Sequence, residues 1–93
     1  MAIGYIIEVP NMTVEQSTQI LRELGLTSPP PGQILHIEGP MEGGGVRVVD
    51  VWESPEALQT FIQESLAPVA QKMGIDLGNV QPTTVWEITN VLK

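Results

Sequence analysis

His36 is the sole imidazole of a chain that has no cysteine, so acid–base chemistry near neutral pH has one natural carrier. Glu38 lies two residues along the same extended segment, which puts both side chains on one face. Asp50 stands on the strand that follows. A carboxylate beside an imidazole orients it, and an imidazole so held can take a proton from a phenol or a carbon acid. Read this way, His36 is a general base, Asp50 or Glu38 is its orienting partner, and the three form the candidate catalytic set. The plainer reading is a histidine at a rim or subunit contact, satisfied by a neighbour's carbonyl, with Asp50 bonded to backbone. Trp52 and Trp86 offer broad flat surfaces for stacking on an aromatic ligand; equally, they could fill a small core. Ile6, Ile34, Val48 and Ile88 join them as candidate substrate-binding residues by strand parity. Arg47 is one of four basic residues and could meet an anionic ligand or make a strand-end ion pair.

Other signals exclude more than they assign. Gly43-Gly44-Gly45 could be a lid or a plain hairpin, but no Gly-Lys-Ser/Thr follows it, so it is no phosphate loop. A single His among scattered carboxylates lacks the spacing of a transition-metal site, and no metal or other cofactor is expected. No nucleophile elbow or Ser-His-Asp order is visible. Asn11-Met12-Thr13 fits the glycosylation pattern, which a chain inside the cell would not use.

These residues must be positioned by a small protein. Its 93 residues are 42% hydrophobic and 16% charged, a globular composition, and residues 1–93 read as one domain. Eleven acids against four bases give a formal charge of −7, with a pI near 4.3. That balance argues against nucleic acid and anionic lipid as partners, since both need clustered Lys and Arg. No apolar run approaches about 20 residues and no leader pattern is seen. The expectation is a cytoplasmic protein with no membrane association.

The elements follow from punctuation and period. Residues 3–9 are a β-rich run closed by Pro10 and Asn11. Thr13 and Gln16 form a capping box for a helix whose stripe is Val14, Ser17, Ile20, Leu21 and Leu24, stopped by Gly25. After the stiff connector Ser28-Pro29-Pro30-Pro31-Gly32 come strands over 33–39 and 46–53, joined by the glycine run. Ser54-Pro55 opens a second helix carrying Leu58, Phe61, Ile62 and Leu66. Pro68 interrupts it, and a short helix with Val69, Ala70 and Met73 ends at Gly74. A loop through Gly78 leads to a last strand over 83–91. This βαββαβ order on one sheet is the ferredoxin-like arrangement, α+β, with right-handed crossovers placing both helices on one face.

Alternation then assigns the faces. The side with Ile3, Tyr5, Ile7, Val9, Leu35, Ile37, Val49 and Val51 is largely aliphatic and suits the helices, with Tyr5 in the core. The side with Ile6, Ile34, His36, Val48, Asp50, Trp52, Trp86 and Ile88 would be the bare one. An apolar sheet face of that size does not stay open to water. A second copy related by a two-fold axis would cover it and enclose a pocket lined by these residues.

The segment Leu35-His36-Ile37-Glu38-Gly39-Pro40, the strand Arg47-Val48-Val49-Asp50-Val51-Trp52-Glu53-Ser54 and the helix signature Leu66-Ala67-Pro68 resemble the dimeric α/β-barrel superfamily. Within it, the chain is most similar to small proteins grouped with antibiotic-biosynthesis monooxygenases. The resemblance spans essentially the whole chain. It implies a homodimeric α/β barrel with a cavity in each subunit, and activities ranging over cofactor-free polyphenol oxidation, lactone isomerisation, polyketide cyclisation, haem degradation and chlorite breakdown. Haem-binding relatives present a histidine from a helix, whereas His36 is on a strand. The leading expectation is therefore a cofactor-independent enzyme of monooxygenase, cyclase or isomerase type, acting on a small aromatic or polyketide-like molecule. The alternative is a non-catalytic dimeric binding or stress-associated protein. Whether the bare, mixed face encloses an open pocket with His36 accessible from it would separate the two, a closed, dry interface favouring the non-catalytic protein.

Overall fold

The computed structural model describes residues 1–77 and 80–92; the loop through Gly78 lies outside them. Four antiparallel strands, β1 (Ile3–Val9), β2 (Gln33–Pro40), β3 (Val46–Trp52) and β4 (Pro82–Glu87), form one sheet in the order β2-β3-β1-β4. The chain order is the expected βαββαβ, and the fold is α+β and ferredoxin-like. β4 is shorter than the sequence pattern suggests; beyond it the Ile88 N–H still bonds the Ala2 carbonyl.

Helix α1 (Val14–Leu24) begins as its capping box dictates, with the Gln16 N–H donating to Thr13 Oγ1 and the Thr13 N–H donating to Gln16 Oε1. Gly25 closes it in the left-handed region at φ 69°. Its inward residues are Ser17 and Ile20, while Val14, at one end of the expected stripe, is exposed.

Ser54 caps α2 (Pro55–Phe61), accepting from the Ala57 N–H, with Pro55 at the first turn. The helix does not break at Pro68. It widens into a π-helical turn over Ile62–Leu66, in which the Ala67 N–H reaches the Ile62 carbonyl, and resumes as α3 (Ala67–Lys72). Proline has no N–H to offer and its ring crowds the carbonyl four residues back, here Glu64. The wider turn gives that carbonyl room without ending the helix.

The faces of β2 and β3 are the reverse of the sequence-based assignment. Directly opposed residues of an antiparallel ladder share a face, and the ladder pairs Tyr5 with Asp50, Asp50 with His36, Ile3 with Trp52, and Glu38 with Val48. Tyr5, His36, Glu38, Val48, Asp50 and Trp52 therefore all point to the helices. There Tyr5, Trp52 and Leu58 form one core cluster, and Met12, Ile20 and Val46 form another. The uncovered face carries Ile6, Leu35, Ile37, Val49 and Trp86 instead. It is as apolar as expected; Ile6 and Trp86 lie there as alternation assigned them, while Leu35, Ile37 and Val49 take the places expected for the other β2 and β3 residues, with Ile37 55% exposed. Trp86 lies over Gly4, where an added Cβ would fall 2.8 Å from the indole, so the small residue in β1 is what seats the ring.

The glycine loop is less free than its composition suggests. All three residues have positive φ, but a Cβ on Gly45 would lie 2.8 Å from Pro10 Cα and from the Val9 carbonyl oxygen. The hairpin is thus seated against the end of β1, a turn rather than a hinged lid.

Candidate functional site

Between the helix-facing side of the sheet and the helices lies a cleft of about 720 Å³, a size suited to a small organic ligand. Its walls are chiefly apolar, including Ile7, Met12, Ile20, Leu24, Phe61 and Leu66, with the polar residues Tyr5, Ser17, Gln33, His36, Glu38 and Asp50 set among them. Two β-structure rules, strand parity and ladder register, assemble the polar cluster. Parity puts His36 and Glu38 on one face of edge strand β2, ladder register puts Asp50 beside His36, and Trp52 follows two residues along β3.

The resulting hydrogen bonds form a chain. His36 Nδ1 lies 2.6 Å from Asp50 Oδ1, and Nε2 lies 3.1 Å from Glu38 Oε1. Trp52 Nε1–H donates to Asp50 Oδ2 at 3.3 Å. Among the described residues no buried side-chain nitrogen or oxygen lacks a partner, which is the condition for keeping such groups inside an apolar layer. The Asp50 hydrogen bond, opposed by burial and reinforced by Glu38, pushes the His36 imidazole up to about 9. The ring therefore keeps both protons at neutral pH and donates at both nitrogens. This differs from the neutral base expected from sequence, and it follows from two carboxylates meeting one imidazole rather than one. Glu38 is the more open of the two acids, its side chain 20% exposed against 9% for Asp50.

The candidate residues do not all meet. His36, Glu38, Asp50 and Val48 line the cleft. Trp52 shares their face but is completely buried, its ring 5.4 Å from that of Phe61, so it holds Asp50 and leaves no surface for stacking. Trp86, Ile6 and Ile88 lie on the opposite face: Ile6 alternates with Tyr5, while Trp86 and Ile88 surround Gly4. The two tryptophans thus cannot sandwich one ligand. Ile34, at a register shift in β2, is half-buried and not part of the cleft wall. Arg47 makes an ion pair with Glu8 at 2.7 Å on the uncovered face.

Among the cleft residues that sequence reasoning did not identify as such are Tyr5 and Ser17. Tyr5 is rightly a core residue, but it also lines the cleft beside Asp50. Burial, with the Glu56 charge adding to it, raises its phenol above the ordinary value. Ser17 sits in the buried stripe of α1, where a hydroxyl among aliphatics is the signal that the stripe faces something other than packed core. Among the described residues no group of three or more His, Asp and Glu is arranged to hold a metal ion, and no helix is long and apolar enough to cross a membrane.

No sequence-family model matches this chain, and no curated protein does. Solved structures do. A protein from Chloroflexus aurantiacus J-10-fl, provisionally named an antibiotic biosynthesis monooxygenase, superposes with a TM-score of 0.62 at 16% identity, over 100% of this chain and 96% of that one. A protein from Deinococcus radiodurans with the same provisional name gives a TM-score of 0.57 at 13% identity, over 100% and 97%. At these identities the likeness is one of fold, and it matches the arrangement built above from the ladder upward. The chain has the ferredoxin-like α+β fold of the antibiotic biosynthesis monooxygenase-like structures.

Proposed function

We propose that this chain is a cofactor-independent enzyme, of monooxygenase, cyclase or isomerase type. Its substrate is a small aromatic or polyketide-like molecule taken into the cleft between sheet and helices. The observation that carries this reading is the His36 ring, bonded to a carboxylate at each nitrogen and opening on a chiefly apolar cleft.

In the proposed step, Glu38 accepts the proton of an acidic O–H or C–H of the substrate. That bond breaks, its electron pair stays on the substrate as a phenolate or enolate, and His36 Nε2–H donates to the oxygen where the charge develops. A positioned donor aimed at developing charge inside an apolar site is a strong source of rate. Asp50 and, behind it, Trp52 fix the ring. The anion so formed is the shared starting point for isomerisation, ring closure and attack on dioxygen, which is why the cleft supports a class of reaction rather than one product. We further propose that two copies pair through the uncovered face of Ile6, Leu35, Ile37, Val49 and Trp86.

The test is a thermal-shift screen of phenols and lactones, because a ligand of the folded state raises apparent stability, followed by turnover assays on each compound that binds. His36→Ala and Asp50→Asn are expected to abolish most turnover. Unchanged turnover in both variants would remove these residues from the mechanism.

A further inference from the structure

We propose that Glu38 makes the cleft selective for uncharged ligands bearing a hydroxyl or enol, and closes it to carboxylates and phosphates. The inference rests on reading the cleft as a ligand site and adds the charge class of what enters it. Of the residues that line the cleft, the charged ones are His36, Glu38 and Asp50, so carboxylates outnumber the imidazolium. Among the described residues no Lys or Arg lines the cleft to offset them. Arg47 is on the other face, paired with Glu8, and Arg22 and Lys72 are tied to Gln19 and Glu23 on the helix surface.

The two carboxylates have different duties. Asp50 receives His36 on one oxygen and Trp52 on the other and is nearly buried. Glu38 is the acid with access to the cleft. A neutral hydroxyl can donate to Glu38 while accepting from His36 Nε2–H, so the pair, 3.1 Å apart, forms a donor–acceptor clamp on one O–H. An anionic ligand has no proton for Glu38 and brings a like charge to it in a poorly screened site.

The test uses 2-naphthol and 2-naphthoate, which share a ring system and differ in the anchoring group, titrated at pH 7 into the wild-type protein. Binding is read from the ring NMR signals of His36 and from thermal shift. The naphthol is expected to bind at least roughly tenfold more tightly than the naphthoate. Glu38→Gln should shrink that ratio several-fold, and Glu38→Asp, which keeps the charge, should retain most of it. Equal or tighter binding of the naphthoate, no binding of the naphthol, or a ratio untouched by Glu38→Gln would each overturn the proposal. The readout needs no turnover: selective binding without conversion of any substrate would sink the enzymatic reading and leave this one intact.

Discussion

Asp50 stands directly opposite His36 in the β2–β3 ladder, its Oδ1 2.6 Å from the ring Nδ1, inside the layer between sheet and helices. A charged pair in that layer costs desolvation that Coulomb attraction offsets only when every remaining donor and acceptor is bonded. Trp52 supplies the second bond to Asp50, and Glu38 supplies the second bond to His36. The four residues thus act as one unit, and changing any of them should be felt by the others.

The first consequence concerns the ring itself. The Asp50 hydrogen bond is the largest cause of the His36 shift to about 9. Asp50→Asn removes the charge and keeps the shape, so the imidazole should titrate at least about one unit lower than in the wild type. NMR titration reads this without ambiguity, because the chain has one histidine. An unchanged midpoint would mean that Glu38 alone sets the proton affinity.

Stability should follow the same proton. His36 binds it more tightly folded, at about 9, than unfolded, near 6.5. A raised folded value contributes stability that is fully present below about 6.5 and is lost as the pH rises through about 9. With about a quarter of the side chain open to solvent, the loss is discounted to on the order of 1–2 kcal/mol. Urea unfolding at pH 6 and pH 9.5, compared with His36→Gln to subtract other titrating groups, checks it. The variant should lose less across this range than the wild type; parallel losses would contradict the shift.

Trp52 gives a prediction about the core. Its ring is fully buried against Phe61 and its N–H meets Asp50. Trp52→Phe leaves a void and an under-bonded carboxylate oxygen, so unfolding should become easier by about 2–4 kcal/mol. Trp86→Phe, on the half-exposed opposite face, should cost less. Chemical denaturation of the two variants side by side ranks them, and equal costs would mean the Asp50 bond contributes little.

Local signals made most of the fold legible. Thr13 with Gln16, Gly25 and Ser54-Pro55 marked helix ends by rules that need no tertiary information. His36, Glu38 and Asp50 were also identifiable as a group, since parity and hairpin adjacency bring such residues close whatever the face. What sequence did not reveal was which face they occupy. Alternation defines two sides for each strand but not how the sides of neighbouring strands match, and a one-residue change of register exchanges them. In β2 and β3 the aliphatic side, with Leu35, Ile37, Val49 and Val51, looked like the natural partner for the helices. The register instead places Tyr5, Asp50 and His36 in one row. The polar group won the inner layer because its members satisfy one another, something residue-by-residue hydrophobicity does not register.

That exchange sharpens the expectation for assembly. The face left outside carries Ile6, Leu35, Ile37, Val49 and Trp86, with Ile37 the most open and Leu35 and Trp86 next, and such a patch normally marks an interface. A two-fold contact is self-complementary, so a charge placed near its centre meets its own copy or the same apolar surface and is doubly unfavourable. Light scattering of the wild type at micromolar concentration should give about twice the 10.1 kDa chain mass. Ile37→Glu should give the single-chain mass with its circular dichroism retained, since Ile37 packs no core residue cluster. Because the cleft lies on the other side of the sheet, this monomer should still hold the His36 ring in its carboxylate pair, with an NMR titration midpoint close to that of the wild type. A wild type that scatters as one chain would leave the apolar face without its proposed cover. A monomeric variant whose His36 titrates near 6.5 would instead mean that pairing helps to build the site.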